Sequence, residues 1–413
     1  MEDSMDQSLY LNVLRTLTWG VLIVLCVFSF IHGSDPPRIV TIGDLHGDLP
    51  RLEQLLRLSD LADSQNRWIG GDSVLVITGD FMDRGKQVRG VMDLVMKLEK
   101  ESRKQDGRVI TLFGNHEMMN VIGDLRYVPF EMYADFADEK SVKRRKDAYK
   151  KYLRILGRRE RDTGQSDSFE TPEAKQKWMG ARPLGFVEYR EAISRKGKYG
   201  RWLRKLRAIE KIGNTIFLHG GIHPSLVKLE ISELNDRIRK EVNNFDLMTD
   251  YLVREDLIEV FFTFDEMRVA AGSRLSLLDS VGGGLSSPGT AWGERESVEA
   301  DLLRSFLDMG GWLSVHPDGP LWFRGFGQWT EDEGTKQIAA LLHRYEAAHF
   351  VVGHTITAER EVIQRFGGRV FLIDTVFPSA LEIQGNQFTA IYPEGREEPK
   401  IADPTVSTPA EAK

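Results

Sequence analysis

Cysteine is almost absent from this sequence, since Cys26 is the only one among 413 residues. A single thiol cannot form an intramolecular disulfide, and it cannot supply the several thiolates of a structural zinc site. The fold must therefore depend on a packed core and on any metal that histidine, carboxylate and amide groups hold. The scarcity of cysteine also leaves the redox compartment undetermined.

The sequence has no excess of basic residues either, because its formal net charge is −7 at pH 7. Nucleic-acid-binding proteins usually carry a strong positive charge, so no nucleic-acid partner is expected. Hydrophobic residues make up 41% of the chain and charged residues 28%, which is typical of a globular protein and not of a disordered one. The length allows one large domain or two of ordinary size.

Long uncharged apolar stretches are also rare, and the one that stands out covers residues 19–31. As a helix its 13 residues would reach only roughly 20 Å, against about 30 Å for the apolar core of a bilayer. Because a linker-like segment follows, we expect residues 1–36 to be a signal peptide or a single-span membrane anchor, with a helix buried in the globular domain as the alternative. The expected location is a membrane or the secretory pathway, with the side of the membrane undetermined.

Six short runs rich in Val, Ile and Phe predict buried β-strands, at residues 38–42, 73–78, 108–113, 215–218, 350–352 and 370–373. Helical patterns lie between them, so the elements by themselves indicate an α/β fold with an open sheet. Each run is followed directly by polar residues, and ligands of open α/β sheets bind beyond the carboxyl ends of the strands. Six strand ends are therefore expected to converge on one site.

The strand pattern is interrupted twice within the main domain, which we place at residues 37–391. Helical insertions are predicted at about residues 126–211 and 225–320, and segment 140–161 of the first carries eleven Lys or Arg against two acidic residues. This segment is either a solvated helical face or a basic cap that attracts acidic or phosphorylated partners. Residues 392–413 are polar and rich in proline, and we predict a disordered tail.

The residues that follow the predicted strands are of the types that bind metal ions. Asp44 and His46 lie two positions apart after the first strand, a spacing that points both side chains to one side. A carboxylate beside an imidazole suits a borderline cation such as Mn, Fe or Zn. One carboxylate can also bridge two metals, and an asparagine offers a neutral amide oxygen. The predicted ligands are Asp44, His46, Asp80, Asn115, His219 and His354.

The charge of such a centre favours phosphate as its ligand. Two divalent cations bring four positive charges, two aspartates remove two of them, and a bridging hydroxide removes one more. A two-metal centre of this kind can create the nucleophilic hydroxide and clamp a phosphoryl group for in-line attack. Arg84 adds a planar, permanently charged fork that matches phosphate oxygens. The residues therefore predict a metal-dependent phosphoesterase.

Together the motifs resemble those of the calcineurin-like metallophosphoesterase superfamily, and within it the phosphoprotein phosphatases: GDLHG at 43–47, GDFMDRG at 79–85, GNHE at 114–117, HGG at 219–221 and GHT at 353–355. Longer runs look like the Shewanella-like protein phosphatases, at residues 114–128, 217–224 and 320–326. The resemblance implies a β-sandwich of two mixed sheets flanked by helices, with helical insertions, in place of a single open sheet.

The resemblance also implies a role for each site residue. The first metal would be held by Asp44, His46 and Asp80, and the second by Asp80, Asn115, His219 and His354. His116 would donate a proton to the leaving group, with Asp83 orienting its ring. Arg84 and Arg324 would bind the substrate phosphate. The implied cofactors are two divalent metal ions, with Mn²⁺ expected and Fe or Zn as alternatives.

The expected activity is the hydrolysis of phosphomonoesters on phosphoproteins, at phospho-Ser/Thr or phospho-Tyr, by a hydroxide that bridges two metals. One alternative is a nucleotide hydrolase of the diadenosine-tetraphosphatase kind, which shares the metal site. The run Asp83-Arg84-Gly85 favours the phosphatase. A second alternative is a membrane-anchored pseudophosphatase that acts as a scaffold, against which the complete ligand set argues. The oligomeric state is left open.

Overall fold

The computed structural model describes residues 36–163, 171–282, 291–356 and 361–402, and these residues form two mixed β-sheets flanked by helices. The apolar run at 19–31 and its predicted role as a signal peptide or anchor lie outside the described residues. Among the described helices, none has both the length and the apolar character that crossing a bilayer requires.

The strands are short and number twelve in the described part of the chain. They are β1 (Ile39–Ile42), β2 (Val74–Ile77), β3 (Arg108–Thr111), β4 (Ile209–Ile212), β5 (Thr215–Leu218), β6 (His349–Val352), β7 (Ile363–Arg365), β8 (Val370–Leu372), β9 (Ala380–Gln384), β10 (Gln387–Tyr392), β11 (Gly395–Glu397) and β12 (Lys400–Ile401). The first sheet has the order β11-β10-β9-β1-β2-β3, and the second has the order β12-β7-β8-β6-β5-β4.

The helices lie between and around these strands. They are α1 (Leu49–Leu58), α2 (Val88–Ser102), α3 (Asn115–Ile122), α4 (Ser141–Thr163), α5 (Pro172–Gly180), α6 (Phe186–Ile193), α7 (Lys198–Leu203), α8 (Ile231–Arg254), α9 (Phe264–Gly282), α10 (Ala291–Leu307), α11 (Gly325–Gln328) and α12 (Glu331–Arg344). Local signals set several of their starts. Asp48 caps α1 by accepting a hydrogen bond from the Arg51 amide, and Thr330 and Glu333 form a capping box at α12.

Each sheet contains a parallel block whose strands all end at the same edge of the molecule. In the first sheet β1, β2 and β3 are parallel, and in the second β5, β6 and β8 are parallel. Antiparallel strands extend each block, which makes both sheets mixed. The six strands predicted from the sequence are these six parallel strands, so their carboxyl ends meet where the site was expected.

Side chains that alternate along the strands pack between the two sheets or against the helices. Val74 and Val76 of β2 face Phe217 and Val351 of the second sheet in one buried cluster. Their neighbours Leu75 and Ile77 belong to the larger cluster that includes the helices. Because both faces of each sheet are buried, the strand sequences are continuously apolar and do not alternate between apolar and polar residues.

The observed fold settles two of the structural expectations. The two mixed sheets confirm the sandwich that the family resemblance implied, whereas the single open sheet read from the elements alone is wrong. Strand patterns report burial but not which strand is the hydrogen-bonding partner, and β4, β7 and β9–β12 carry weaker apolar signals. The disordered tail predicted from residue 392 is wrong as far as Ala402, because β11 pairs with β10 and β12 pairs with β7 through backbone hydrogen bonds.

Both predicted insertions contain helices, with α4–α7 in the first and α8–α10 in the second. The basic helix α4 forms ion pairs with acidic residues around it: Lys151 with Glu259, and Arg154 with Asp256. These pairs fit the solvated-face interpretation of this segment better than the basic cap. Helix α6, which contacts α4, also reaches α3, where Tyr189 and Arg190 bind Asn120.

Candidate active site

The loops after the strands hold their functional residues in an unusual backbone conformation. His46, Asp80, Asp83, Arg84 and His354 all have positive φ, between 44° and 66°. This region is unfavourable for residues with a side chain, and such strain persists only where surrounding contacts impose it. The five residues occupy three separate loops, so three of the converging strand ends are followed by strained backbone.

Two glycines allow these loops to approach one another. A Cβ at Gly114 would lie 2.3 Å from Oδ1 of Asp80, and a Cβ at Gly353 would lie 2.4 Å from Oδ1 of Asp44. Both separations are far inside van der Waals contact, so any larger residue would displace a predicted ligand. The glycines of the GNHE and GHT motifs are thus explained by the close packing of backbone against carboxylate.

Three histidines are oriented by backbone carbonyl groups. Nδ1 of His46 lies 3.0 Å from the Met82 carbonyl oxygen, and Nδ1 of His219 lies 3.1 Å from that of Thr78. A carbonyl oxygen only accepts, so these nitrogens carry the proton and leave Nε2 as the free lone pair. In His354 the order is reversed, because Nε2 donates to the Trp322 carbonyl at 3.0 Å and leaves Nδ1 free. Metal-binding histidines are commonly fixed in this way.

The free ring nitrogen of His219 faces other acceptors. It lies 2.8 Å from Oδ1 of Asn115 and 3.2 Å from Oδ2 of Asp80. Three atoms that can each offer a lone pair are thus directed at one small space with no protein donor among them. Such a convergence of acceptors is the arrangement of ligands around a cation.

Asp80 belongs to two candidate ligand groups. One consists of His46, Asp80 and His116 and the other of Asp80, His219 and His354, and within each group the ligand atoms lie within 4.8 Å of one another. Asp44 adjoins both, since its Oδ2 is 3.9 Å from Nε2 of His46 and its Oδ1 is 3.9 Å from Nδ1 of His219. The structure therefore brings all six predicted ligands together, with Asp80 in the shared position.

The protonation tendencies of these buried groups also suit a divalent cation. Burial lowers the pKa of His46 to about 3 and holds the pKa of His354 well below its usual value, which keeps both rings neutral. Burial and the charges of Asp374 and Asp80 raise the pKa of Asp44 well above its ordinary range. Crowded carboxylates beside neutral imidazoles form a donor set that cations of charge +2 stabilise. The residues present fit a two-metal centre.

The predicted proton donor lies beside this centre. Nδ1 of His116 donates to Oδ2 of Asp83 at 2.7 Å, and its Nε2 is 3.8 Å from Oδ2 of Asp80. Burial opposes the charged ring, but Asp80 and Asp83 together raise the pKa of His116. A higher pKa moves the His116 ring toward the protonated form that a general acid requires, and the positive charge of Arg84 beside Nε2 opposes this shift.

The two predicted phosphate arginines lie on either side of the ligands. Nη2 of Arg84 is 3.4 Å from Nε2 of His116, and the Arg84 guanidinium is also 5.8 Å from the centre of the Tyr127 ring. Arg324 comes from the chain just before α11 and donates to the carbonyl of His354. Both cations therefore contact residues of the candidate metal centre.

Glu117 is the main residue of the site that sequence reasoning missed. It is fully buried and accepts hydrogen bonds from the amides of Asp80 and Gly114, both at 2.8 Å, and from that of Met82 at 3.1 Å. Burial and the charge of Asp80 raise the pKa of Glu117 to about 8. The signal was present in the sequence, because a glutamate three residues after a helix N-cap is the spacing of a capping box.

The chain is similar in sequence to known proteins. The sequence model of the calcineurin-like phosphoesterase family matches residues 37–263, which is more than half of the chain. Shewanella-like protein phosphatase 2 of Arabidopsis thaliana is 30% identical over 224 residues, covering 51% of this chain and 53% of that protein. Shewanella-like protein phosphatase 1 of Plasmodium berghei is 24% identical over 368 residues, covering 86% of this chain and 74% of that protein. The chain thus spans about half the length of the Arabidopsis relative.

A solved structure shows the same fold. The cold-active protein-tyrosine phosphatase of a psychrophilic Shewanella species superposes with a TM-score of 0.52 at 22% identity, covering 88% of this chain and 80% of that chain. At this identity the similarity establishes the architecture and not the substrate. The matched family model covers the first three strand ends and His219, and the predicted resemblance is confirmed. The chain belongs to the calcineurin-like phosphoesterase family.

Proposed function

We propose that this protein is a metal-dependent protein phosphatase that hydrolyses phosphomonoesters on phosphoserine, phosphothreonine or phosphotyrosine residues. The observation that carries the proposal is the shared position of Asp80, whose carboxylate lies close to His46 on one side and to His219 and His354 on the other, while His116 beside it is hydrogen-bonded to Asp83. Two divalent ions bound there, with Mn²⁺ proposed and Fe or Zn as alternatives, would activate water and neutralise the phosphoryl oxygens.

The protein's own side chains perform the remaining tasks. Arg84 and Arg324 would bind the non-bridging phosphate oxygens and hold the phosphorus in line with the attacking water. His116 would donate its Nε2 proton to the leaving oxygen as the ester bond breaks. Asp83 keeps the His116 ring in place through the 2.7 Å hydrogen bond and stabilises its positive charge before the transfer. Leaving-group protonation matters most for serine and threonine esters, whose alkoxides leave poorly.

A groove next to the site supports a peptide as the substrate. It has a volume of about 300 Å³, and its lining includes Tyr127, Phe264, Arg268 and Trp322. Tyr127 also lies 5.1 Å from the ring centre of His116, and Trp322 lies 6.2 Å from that of His354. The groove therefore begins at the candidate active centre, where side chains flanking a phosphorylated residue would lie. The relatives in Arabidopsis and Plasmodium are named as protein phosphatases, which agrees with this substrate class.

The proposal is tested with the purified full chain assayed on phosphoserine and phosphotyrosine peptides while Mn, Fe and Zn are varied. We expect metal-dependent release of phosphate from at least one peptide class. A dinucleoside polyphosphate serves as the competing substrate. Cleavage of the dinucleotide that is clearly faster than hydrolysis of every peptide would replace the phosphatase by a nucleotide hydrolase, and absence of bound metal and of any activity would favour a scaffold.

The shared position of Asp80 leads to a prediction about metal content. Asp80→Asn should lower the bound metal from two ions per chain to one or none, because an amide offers one neutral oxygen in place of a bridging carboxylate. Metal analysis of the dialysed protein measures this, with Asp72→Asn at an exposed position just before β2 as the matched control. Full occupancy by two ions in the Asp80 variant would refute the bridging role.

The proposed proton donor leads to a second prediction. His116→Asn should retain both metals but lower kcat on a phosphoserine peptide by about 10²–10⁴, the usual contribution of general acid catalysis. Steady-state kinetics and metal analysis of the same preparation separate the two effects. Loss of metal together with activity would mean that His116 is a ligand, which its membership of the group with His46 and Asp80 also allows geometrically.

The groove leads to a prediction about substrate choice. Arg268 is exposed at its rim, so Arg268→Glu should raise KM for peptides with acidic flanking residues by about three- to tenfold, through the loss of a solvent-exposed charge interaction. KM for p-nitrophenyl phosphate, which cannot reach the groove, should stay within about twofold. Lys104→Glu makes the same charge change away from the groove, and equal effects of the two variants on peptides would remove the groove from the proposal.

A further inference from the structure

A buried chain of hydrogen bonds leads from the first helical insertion to the proposed proton donor. It starts at Tyr189 of α6, passes through Asn120 of α3 and ends at Asp83, which accepts from His116. All four side chains are almost completely buried. Asn120 and Tyr189 have no part in the metal site or in phosphate binding as described above.

The direction of every hydrogen bond in this chain is fixed by chemistry. Nδ2 of Asn120 lies 2.7 Å from Oδ1 of Asp83 and 2.8 Å from the carbonyl oxygen of His116. A carboxylate and a carbonyl only accept, so the amide nitrogen must face them and Oδ1 must face the other way. Oδ1 then needs a donor, and the Tyr189 hydroxyl supplies it. Burial and the charge of Asp83 raise the pKa of Tyr189 well above its usual value, which keeps the hydroxyl protonated.

The Asp83 carboxylate is therefore held at both oxygens. Asn120 donates to one oxygen and His116 donates to the other, both at 2.7 Å. Two hydrogen bonds of this length on opposite oxygens fix the plane of the carboxylate, and with it the direction of the His116 ring. If the amide of Asn120 turned over, its oxygen would face Asp83 and repel it. The Tyr189 hydroxyl opposes this rotation because only the present orientation offers it an acceptor.

Ring packing and hydrogen bonds of the first insertion hold Tyr189 in this position. The Tyr189 ring packs edge-on against Tyr133 and Phe136, with ring centres 5.5 Å and 5.0 Å away. The next residue, Arg190, is buried and donates from Nη1 to the Asn120 carbonyl at 2.9 Å. Two consecutive side chains of α6 thus bind the side chain and the backbone of the same residue of α3. A buried arginine used in this manner ties the helix of the insertion to the helix that carries His116.

We propose that Asn120 and Tyr189 are positioning residues for the pair His116 and Asp83, so that the first insertion controls how efficiently the leaving group is protonated. The proposal rests on the proposed function, because it assumes hydrolysis of phosphomonoesters with His116 as the acid. Neither residue touches the substrate. Both act through Asp83 on the orientation of one imidazole ring.

The test compares two substrates that differ in their need for an acid. p-Nitrophenyl phosphate releases a stable phenolate that requires little protonation, whereas phenyl phosphate releases a more basic one that requires much more. Tyr189→Phe should lower kcat about tenfold on phenyl phosphate and at most about twofold on p-nitrophenyl phosphate, part of the full effect of general acid catalysis. Metal content and KM should not change.

Tyr133→Phe is the matched control, since it removes a hydroxyl from the same buried aromatic cluster without touching Asn120. Its two kcat values should match those of the unmodified protein. Equal losses on both substrates in Tyr189→Phe, or the same selective loss in Tyr133→Phe, would show a general packing effect and overturn the proposal. Unchanged kinetics in Tyr189→Phe would also overturn it.

A second variant and a double variant keep the test decisive. Asn120→Leu has nearly the same shape and removes both polar groups, so it should reproduce the substrate-selective loss even if Tyr189→Phe does not fold. In the His116→Asn background, Tyr189→Phe should lower kcat no further, because a positioning residue has no effect once the residue it positions is gone. Additive losses would contradict the mechanism. Hydrolysis of both aryl phosphates without any action on phosphopeptides would remove the proposed substrate class and leave this inference intact.

Discussion

Asp80 connects the loops of the candidate active site through its hydrogen bonds. Its carbonyl accepts hydrogen bonds from the amides of Leu45 and His46 at 3.0 and 2.9 Å, and its own amide donates to Glu117. Its carboxylate accepts from the amide of His116 at 3.0 Å while facing His219 across the sheets. Every polar group of one residue is thus used to join the loops after β1, β2 and β3, and the positive φ of Asp80 is the strained conformation that makes this possible.

The sandwich matters because the predicted metal ligands come from both sheets. His219 follows β5 and donates to the carbonyl of Thr78 after β2, and the amide of His354 after β6 donates to the carboxylate of Asp44 after β1. These contacts close the edge where the two parallel blocks end. Rigid strands on both sides position side chains more precisely than long loops would, which favours a catalytic constellation at this place. The inter-sheet core around Phe217 therefore supports the centre as well as the fold.

The helical insertions are integral to the centre and not merely attached to it. The second insertion leads into the segment whose Trp322 carbonyl fixes the tautomer of His354 and whose Arg324 contacts the same residue. The first insertion supplies Tyr189 and Arg190, which bind Asn120 next to the pair of His116 and Asp83. The insertions supply none of the predicted metal ligands. Substitutions within them can nevertheless alter the candidate active site through these contacts.

The sequence by itself determined which residue types line the candidate active site. The six predicted ligands and the six parallel strands could be predicted from the sequence, because a polar residue shortly after a buried apolar run is a local pattern. The roles of Asp83 and His116 came from the resemblance to a known family. Glu117 could also have been predicted, from its capping-box spacing.

Only the tertiary structure decided the division into two sheets, the course of the chain from 392 to 402 and the place of Asp80 between two histidine pairs. Tyr189 and Asn120 are 69 positions apart, and Arg324 and His354 are 30 apart. Contacts over such distances leave no periodicity in the sequence, since they depend on which surfaces pack together and not on the local spacing of residue types.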